Sequence, residues 1–397
     1  MSYIKRNISN KIKEIIKRDK SVLLFGARQT GKTTMIHQEI VPDITYSFVD
    51  PEIRLHYEKD PALLTKELKH TLEQWQTPPV IFIDEIQRVP YVMDTAQLLI
   101  DQRKAQFILT GSSAHKLKHG AGLNLLPGRV VTLTMDPLHF PELPSNWRQL
   151  KDILIYGTLP SIVLDSTDDN REVDLRSYVT TYLEEEIRAE ALVRNIGSFS
   201  RFLELAASES GKIVNFTKLS QEVGVAVTTI IDYYQILEDC MIALRIDPII
   251  HTTSHRRLIK SPKYLFFDLG VRRVCAHAGK ELPEPYLAQL FEQYVGIELI
   301  YQTRYLPNAR VKYWRDTSGI EVDYVLEREG NYFPIEVKWT KKPSVNDARH
   351  LQKFLSEYKN SEKGYIVCRT PRAFVVTENI FALPWQDLNH IMANREK

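Results

Sequence analysis

Cysteine is scarce. Cys240, Cys275 and Cys368 are the only three in 397 residues, far apart and without metal-ligand spacing. That argues against a disulfide framework and fits a reducing compartment. Long apolar runs are missing too. None approaches the ~18 residues of a membrane span. The basic N-terminus (Lys5, Arg6, Lys11, Lys13) is not followed by the apolar core of a signal sequence. An excess of one charge is also lacking. With a net charge of +2, whole-chain charge argues neither for nor against nucleic acid, and any basic surface is local. The expectation is a soluble cytoplasmic protein with no membrane partner. Its 43% hydrophobic content supplies ordinary cores, and its length suggests roughly two or three domains.

What is present centres on SVLLFGARQTGKTT, Ser21 to Thr34. An apolar run, Val22–Phe25, leads into Gly26-x-x-x-x-Gly31-Lys32-Thr33. This needs a buried strand, a loop without bulk, and a helix starting where the loop ends. Gly26 and Gly31 permit angles and approaches that a Cβ forbids. The loop, through Ala27, Arg28, Gln29, Thr30 and Thr34, turns backbone N–H groups inward, and the helix N-terminus adds positive potential, so phosphate is held. Lys32 reaches the β- and γ-phosphates and Thr33 holds Mg²⁺.

Around this loop the apolar runs alternate with helical periodicity, which predicts a parallel sheet covered on both faces. Ile4, Ile8, Ile12, Ile15 and Ile16 stand at helical spacing ahead of the loop. A strand is expected at 44–49 and a helix at 60–76. Val80-Ile81-Phe82-Ile83 then ends in Asp84-Glu85, a buried strand with carboxylates at its tip. Asp84 suits Mg²⁺, and Glu85 suits orienting and deprotonating the attacking water. After a helix near 91–101, the strand Phe107–Thr110 ends beside Gly111-Ser112-Ser113, where Thr110 or Ser112 can sit between the acidic pair and the γ-phosphate. Arg129, at the start of the strand Gly128–Leu133, reads as a phosphate sensor, a trans-acting finger or a structural arginine. The trans role is compatible with an oligomer. Prolines 137, 141 and 144 mark a boundary.

GARQTGKT, VIFIDEIQ, ILTGSS and LPGRVVTL…PLHFPE, in this order, resemble the prokaryotic AAA-type ATPases that carry a C-terminal domain of uncharacterised function. The resemblance runs to about residue 370. It implies ATP with Mg²⁺ as cofactors; DNA is expected as a partner on the reading of the C-terminal half. It also implies an α/β chain. The N-terminal P-loop, AAA-like parallel sheet has helices on both faces, at 1–148. A helical connector follows at 149–197 and a winged-helix-like segment at 198–280. A C-terminal α/β/α restriction-endonuclease-like domain occupies 281–397. ATP over GTP rests on the resemblance.

In the middle, the run Glu184-Glu185-Glu186 reads as a solvated helix face. Adjacent residues on a helix point in different directions. Helix, turn, helix and hairpin over 198–250 is the winged-helix order. Thr228, Thr229 and Tyr233 are expected on the exposed face of the second helix. His251, His255, Arg256, Arg257 and Lys260 fall in the wing, where they can meet phosphates. Packing without DNA remains the alternative.

The last third brings a helix over 286–306 and three strands, 311–315, 320–326 and 332–338. Alternate strand residues share a face, so Glu336 and Lys338 point the same way, and Asp323 joins them if the strands pair. Carboxylates from neighbouring strands with a helix glutamate nearby can hold hard cations, Mg²⁺ or Mn²⁺. A lysine beside them can activate water or offset charge on a phosphate. This set resembles the PD-(D/E)XK nucleases of the Holliday-junction-resolvase branch. Carried over, the motif falls on Asp323, Glu336 and Lys338, with Glu292 as the helix glutamate and Glu298 as the fallback. Val322 stands where the pattern has proline. Lys338-Trp339-Thr340-Lys341-Lys342 adds a basic patch with an aromatic. The other reading is an ATP-driven signalling or scaffold switch whose C-terminal half only binds partners. A kinase or transferase on the same loop lacks any substrate motif.

Overall fold

The computed structural model describes residues 3–113, 126–183, 195–250 and 258–393. Five strands build the N-terminal sheet: β1 (Ser21–Phe25), β2 (Ile44–Ser47), β3 (Val80–Asp84), β4 (Gln106–Gly111) and β5 (Val130–Thr134). Their order is β2-β3-β4-β1-β5, and every pairing is parallel. Alternation along the strands divides the core in two. Leu23, Phe25, Ile81, Ile83, Phe107 and Leu109 face the helices Pro61–Leu72 and Val92–Asp101. Val22, Leu24, Phe82 and Ile108 face Ile8, Ile12 and Ile15 of the helix Ile8–Ile16, with Met35 and Ile36. Burial on both faces is why these strands read as continuous apolar runs. The helix Pro51–Lys59 was not expected. Its mean pattern is polar and only Tyr57 is buried, so its signal is the cap, Asp50 followed by Pro51.

Short helices follow at Leu150–Tyr156, Pro160–Leu164 and Asp168–Ser177. The break at Gly157-Thr158 is closed by Asp268, whose carboxylate accepts from the Thr158 amide at 2.6 Å and the Val271 amide at 3.0 Å. The acidic run at 184–186 and the wing residues His251, His255, Arg256 and Arg257 lie outside the described residues.

Helices Ile196–Ser208, Phe216–Val223 and Val227–Asp239 precede an antiparallel pair, β6 (Ala243–Pro248) and β7 (Lys263–Phe266). Thr228 is exposed, but Tyr233 is not. It is buried against Phe199 and Phe202 at ring distances of 5.0 and 5.2 Å, a correction to its expected surface role. The apolar side of that helix is wider than the sequence suggested, and an aromatic ring holds its centre.

The C-terminal strands are β8 (Ala309–Arg315), β9 (Glu321–Arg328), β10 (Asn331–Lys338), β11 (Gly364–Cys368), β12 (Phe374–Thr377) and β13 (Ile380–Pro384). They form a mixed sheet in the order β12-β13-β11-β10-β9-β8-β6-β7. β6 runs parallel to β8 and carries the middle hairpin into this sheet. One apolar core spans the same stretch, from Leu138 through Phe202 and Tyr294 to Met392. The expected division at 280/281 is therefore crossed by both a sheet and a core. The 20-residue helix Glu284–Thr303 lies on that sheet, touching β8, β9 and β10.

Candidate functional site: a phosphate loop and a distant acid–lysine cluster

Parallel strands put β3, β4 and β1 side by side with their C-terminal tips together, and the glycine loop springs from the tip of β1, next to β4. A Cβ on Gly26 would overlap the Met135 carbonyl oxygen, and Gly31 has φ +89°. Both positions require glycine for the loop to close. Lys32 is buried and donates to the carbonyls of Gly26 at 2.7 Å and Ala27 at 3.1 Å. Thr30 braces the loop through the Ala27 carbonyl at 2.8 Å. Tyr178 donates to the Arg28 carbonyl at 3.4 Å, Ser161 approaches Gln29 at 3.5 Å, and Thr34 is exposed on the first helical turn.

Beneath the loop, three expected residues form a chain. Thr33 donates to one Asp84 oxygen at 2.9 Å and Thr110 to the other at 2.6 Å. Asp84 is thereby oriented, with hydroxyl and carboxylate oxygens of the kind a hard cation takes. Glu85 follows with φ +56°, an uncommon conformation for a residue with a side chain. Its carboxylate accepts from Ser112 at 3.0 Å and from Gln87, and Gln87 also donates to Ser112 at 3.0 Å. Thr110 and Ser112 thus divide the two acids between them. Gln87 had no expected role, although it stands in the VIFIDEIQ motif.

Arg129 is not brought to this site. Its neighbour Val130 pairs with Ser21, at the opposite end of β1 from the loop. There Arg129 is held by Asp101 at 2.6 and 3.0 Å. A phosphate-sensing role within the same subunit is corrected on that ground.

A residue that sequence reasoning missed ties the loop to the rest of the chain. Arg6 is buried and donates to the Thr30 carbonyl at 2.7 Å, to Glu142 at 3.0 Å and to the Asp136 carbonyl at 2.7 Å. His139 also meets Glu142, at 3.0 Å. Burial opposes charge on Glu142, but the His139 bond and the Arg6 cation outweigh it and hold its pKa below the usual value. From the other side, Arg304 pairs with Asp136 at 2.5 Å, and Glu298 accepts from the Phe140 amide at 3.1 Å. Glu298 therefore belongs to this seam and leaves the C-terminal cluster, a correction to its fallback role.

The second centre lies where the Glu284–Thr303 helix meets β9 and β10. Asp323 accepts from the Val337 amide at 2.8 Å, and Lys338 donates to Glu336 at 2.7 Å. The other Glu336 oxygen is buried without a hydrogen-bond partner. Burial, then the Asp323 charge, pushes both Glu292 and Glu336 up to about 8. Burial raises Asp323 as well. Burial opposes charge on Lys338, but the Glu336 carboxylate outweighs it and holds the ammonium up. Glu292, Asp323, Glu336 and Lys338 thus act on one another electrostatically. They do not form a metal cage: among the described residues no group of three or more His, Cys, Asp or Glu is arranged to hold a metal ion. Sequence reasoning missed Lys263, which reaches Glu321 at 2.7 Å from β7. The basic patch is also altered, because Arg369 covers the Trp339 ring at 3.8 Å. Among the described residues no helix is long and apolar enough to cross a membrane.

With this geometry in view, residues 18–144 match the family described as an AAA domain. Residues 148–281 match a domain of unknown function (DUF8612), and residues 287–388 match another (DUF4143). The N-terminal unit is a P-loop, ATPase-like α/β domain. An uncharacterized protein of Mycobacterium tuberculosis is 23% identical over 384 residues, covering 96% of this chain and 83% of that protein. One of Methanocaldococcus jannaschii is 23% identical over 324 residues, covering 68% of this chain and 66% of its own length. Among solved structures, a Walker-type ATPase of Pyrococcus abyssi aligns with 69% of this chain and 96% of its own at 13% identity, with a TM-score of 0.48.

Proposed function

We propose that the chain is a Mg²⁺-dependent ATP hydrolase that acts with DNA through its C-terminal half. The observation that carries the ATPase part is the chain Thr33–Asp84–Thr110 beneath a glycine-shaped loop. A Cβ at Gly26 would overlap the Met135 carbonyl oxygen, so the loop closes only with glycine there, and a glycine loop opening a helix suits phosphates. Bound ATP and Mg²⁺ supply the transferable phosphoryl group and the charge that draws it. Lys32 leaves the loop carbonyls for the phosphates, while Thr33 and Asp84 hold the cation side. Glu85, aimed by Ser112 and Gln87, takes the proton of the attacking water. Phosphate release from ATP that requires Mg²⁺ and rises with added DNA is the expected result. Turnover indifferent to DNA would favour the signalling or scaffold switch.

A second reading, a PD-(D/E)XK nuclease-like C-terminal site, is favoured by one feature: the buried, unpartnered Glu336 oxygen beside Asp323, Glu292 and Lys338. As placed, the carboxylates do not fit a metal ion, so no cleavage step is derived through one. The purified protein with Mg²⁺ or Mn²⁺ should nick branched or single-stranded DNA if this reading holds, and Asp323→Ala and Lys338→Ala should each remove the cutting. Binding without cutting under either metal would end it.

A further inference from the structure

A cavity of about 970 Å³ lies between the middle and C-terminal segments, away from the phosphate loop. The starts of the Phe216–Val223 and Val227–Asp239 helices form one side of it. The Glu284–Thr303 helix and the facing ends of β8 and β9 form the other. Lys212, Lys263 and Arg315 line it together with Glu292 and Glu321, three cations to two carboxylates. Lys263 and Arg315 each hold one oxygen of Glu321 at 2.7 Å. Lys263, itself buried, and Arg315 share that one carboxylate, and Lys212 meets Glu209 at 3.2 Å, so the lining cations exceed the lining carboxylates by one charge. Phe216 and Val227 supply apolar surface, and Val227 is exposed at the rim.

Cations beside an aromatic and an apolar side chain are the chemistry that takes a nucleic-acid strand, phosphates on the cations and a base on the apolar surface. Size selects the form. Cavities of ~300–1,000 Å³ take ligands no larger than a drug molecule, which matches a few nucleotides of one strand. A B-form duplex, whose major groove alone is ~12 Å wide, does not enter such a space. Glu292 belongs both to the cavity wall and to the acid–lysine cluster. A strand seated here therefore arrives beside that cluster.

We propose that this cavity seats a short single-stranded segment of DNA, with phosphates on Lys212 and Arg315, the buried Lys263 adding its charge from behind, and a base against Phe216 and Val227. The proposal rests on the reading that the C-terminal half handles DNA. It adds the form of the DNA and its place of entry.

The test uses the full chain and fluorescence anisotropy at fixed salt. The probes are a labelled single-stranded 12-mer and the blunt duplex of the same sequence. The single strand should bind at least about tenfold more tightly than the duplex. Lys212→Glu and Val227→Trp, both at exposed positions, should each weaken it by about tenfold or more, with melting temperature as the check on folding. A photoreactive thymidine in the 12-mer should crosslink within 210–217, 259–263 or 289–293, a readout that needs no variant. Equal affinity for the duplex, crosslinks confined to other segments, or binding indifferent to both substitutions would overturn the cavity while leaving the DNA reading intact. No binding of either probe would remove the DNA reading itself.

Discussion

The two polar centres of this chain are built in opposite ways. At the phosphate loop, each acid has a neutral donor: Thr33 and Thr110 on Asp84, Ser112 and Gln87 on Glu85. Asp84 is buried there with a hydroxyl donor on each carboxylate oxygen. In the C-terminal cluster, carboxylates from a helix and two strands crowd one another, and Glu292 and Glu336 are pushed up to about 8. The first centre is arranged before any ligand arrives, so binding exchanges one set of partners for another. The second holds its carboxyls away from water first and presses them on one another second, so protonation or a positive side chain relieves it. Preorganisation is thus visible in the partners a site already has, and poise in the partners it lacks.

The largest expected effect tests the first half of that contrast. Lys32→Ala should abolish tight nucleotide binding, because the phosphates lose a buried point charge. Calorimetry with ATP reads this, and unchanged affinity would mean the loop is not the nucleotide site. Glu85→Gln should leave binding intact and slow hydrolysis by about 10²–10⁴-fold. Asp84→Ala should instead weaken the Mg²⁺-dependent part of binding. If the two variants behave alike, the division of labour drawn from Thr110 and Ser112 is wrong.

The same contrast explains what was legible in the sequence. The loop lies within fourteen consecutive residues, Ser21 to Thr34, and parallel strands bring its partners from predictable tips. Local pattern therefore located Thr33, Asp84, Glu85 and Thr110 together. The cluster is assembled from residues scattered between 263 and 338 on several separate elements, 292, 321, 323 and 336 among them. Lys263 had no signal, because a lysine opening a strand reads as solvated until its neighbour across the sheet is known. Arg6 was hidden for the same reason: in the sequence it is one of several N-terminal bases, and only the fold buries it under the loop. Tyr233 shows the reverse error. Polar neighbours on its helix suggested exposure, whereas the packing of Phe199 and Phe202 decided otherwise.

Arg6 also offers a way to ask whether the two regions are one mechanical unit. It touches the loop at Thr30 and the seam at Glu142 and Asp136, and that seam receives Arg304 and Glu298 from the C-terminal half. Arg6→Ala would strand part of a buried charge pair, which costs about 3–5 kcal/mol. Denaturant unfolding should show that loss as a single cooperative transition moving to lower denaturant. A split into two transitions would mean that the N-terminal and C-terminal parts unfold separately once the tie is cut.

The smallest effect separates burial from crowding, the two causes that act together in the cluster. Asp268 is a buried carboxylate that accepts from backbone amides, and burial pushes it up to about 6 from 3.8. Its folded pKa lies above its unfolded one, so between these values the folded state binds more protons. Its contribution to stability is therefore full below about pH 4 and lost as pH rises through about 6, then flat. The displacement corresponds to about 3 kcal/mol at most. Asp268→Asn cannot titrate. It loses an acceptor for one of the two amides, a cost that does not vary with pH. Subtracting its denaturant stability from that of the wild type, measured between pH 4 and pH 8, isolates the titration. The difference should fall across the interval from about 4 to 6 and stay level beyond it. A difference still falling near pH 8 would show that Asp268 feels a second acid, and that carboxylate crowding is not confined to the cluster around Glu292 and Glu336.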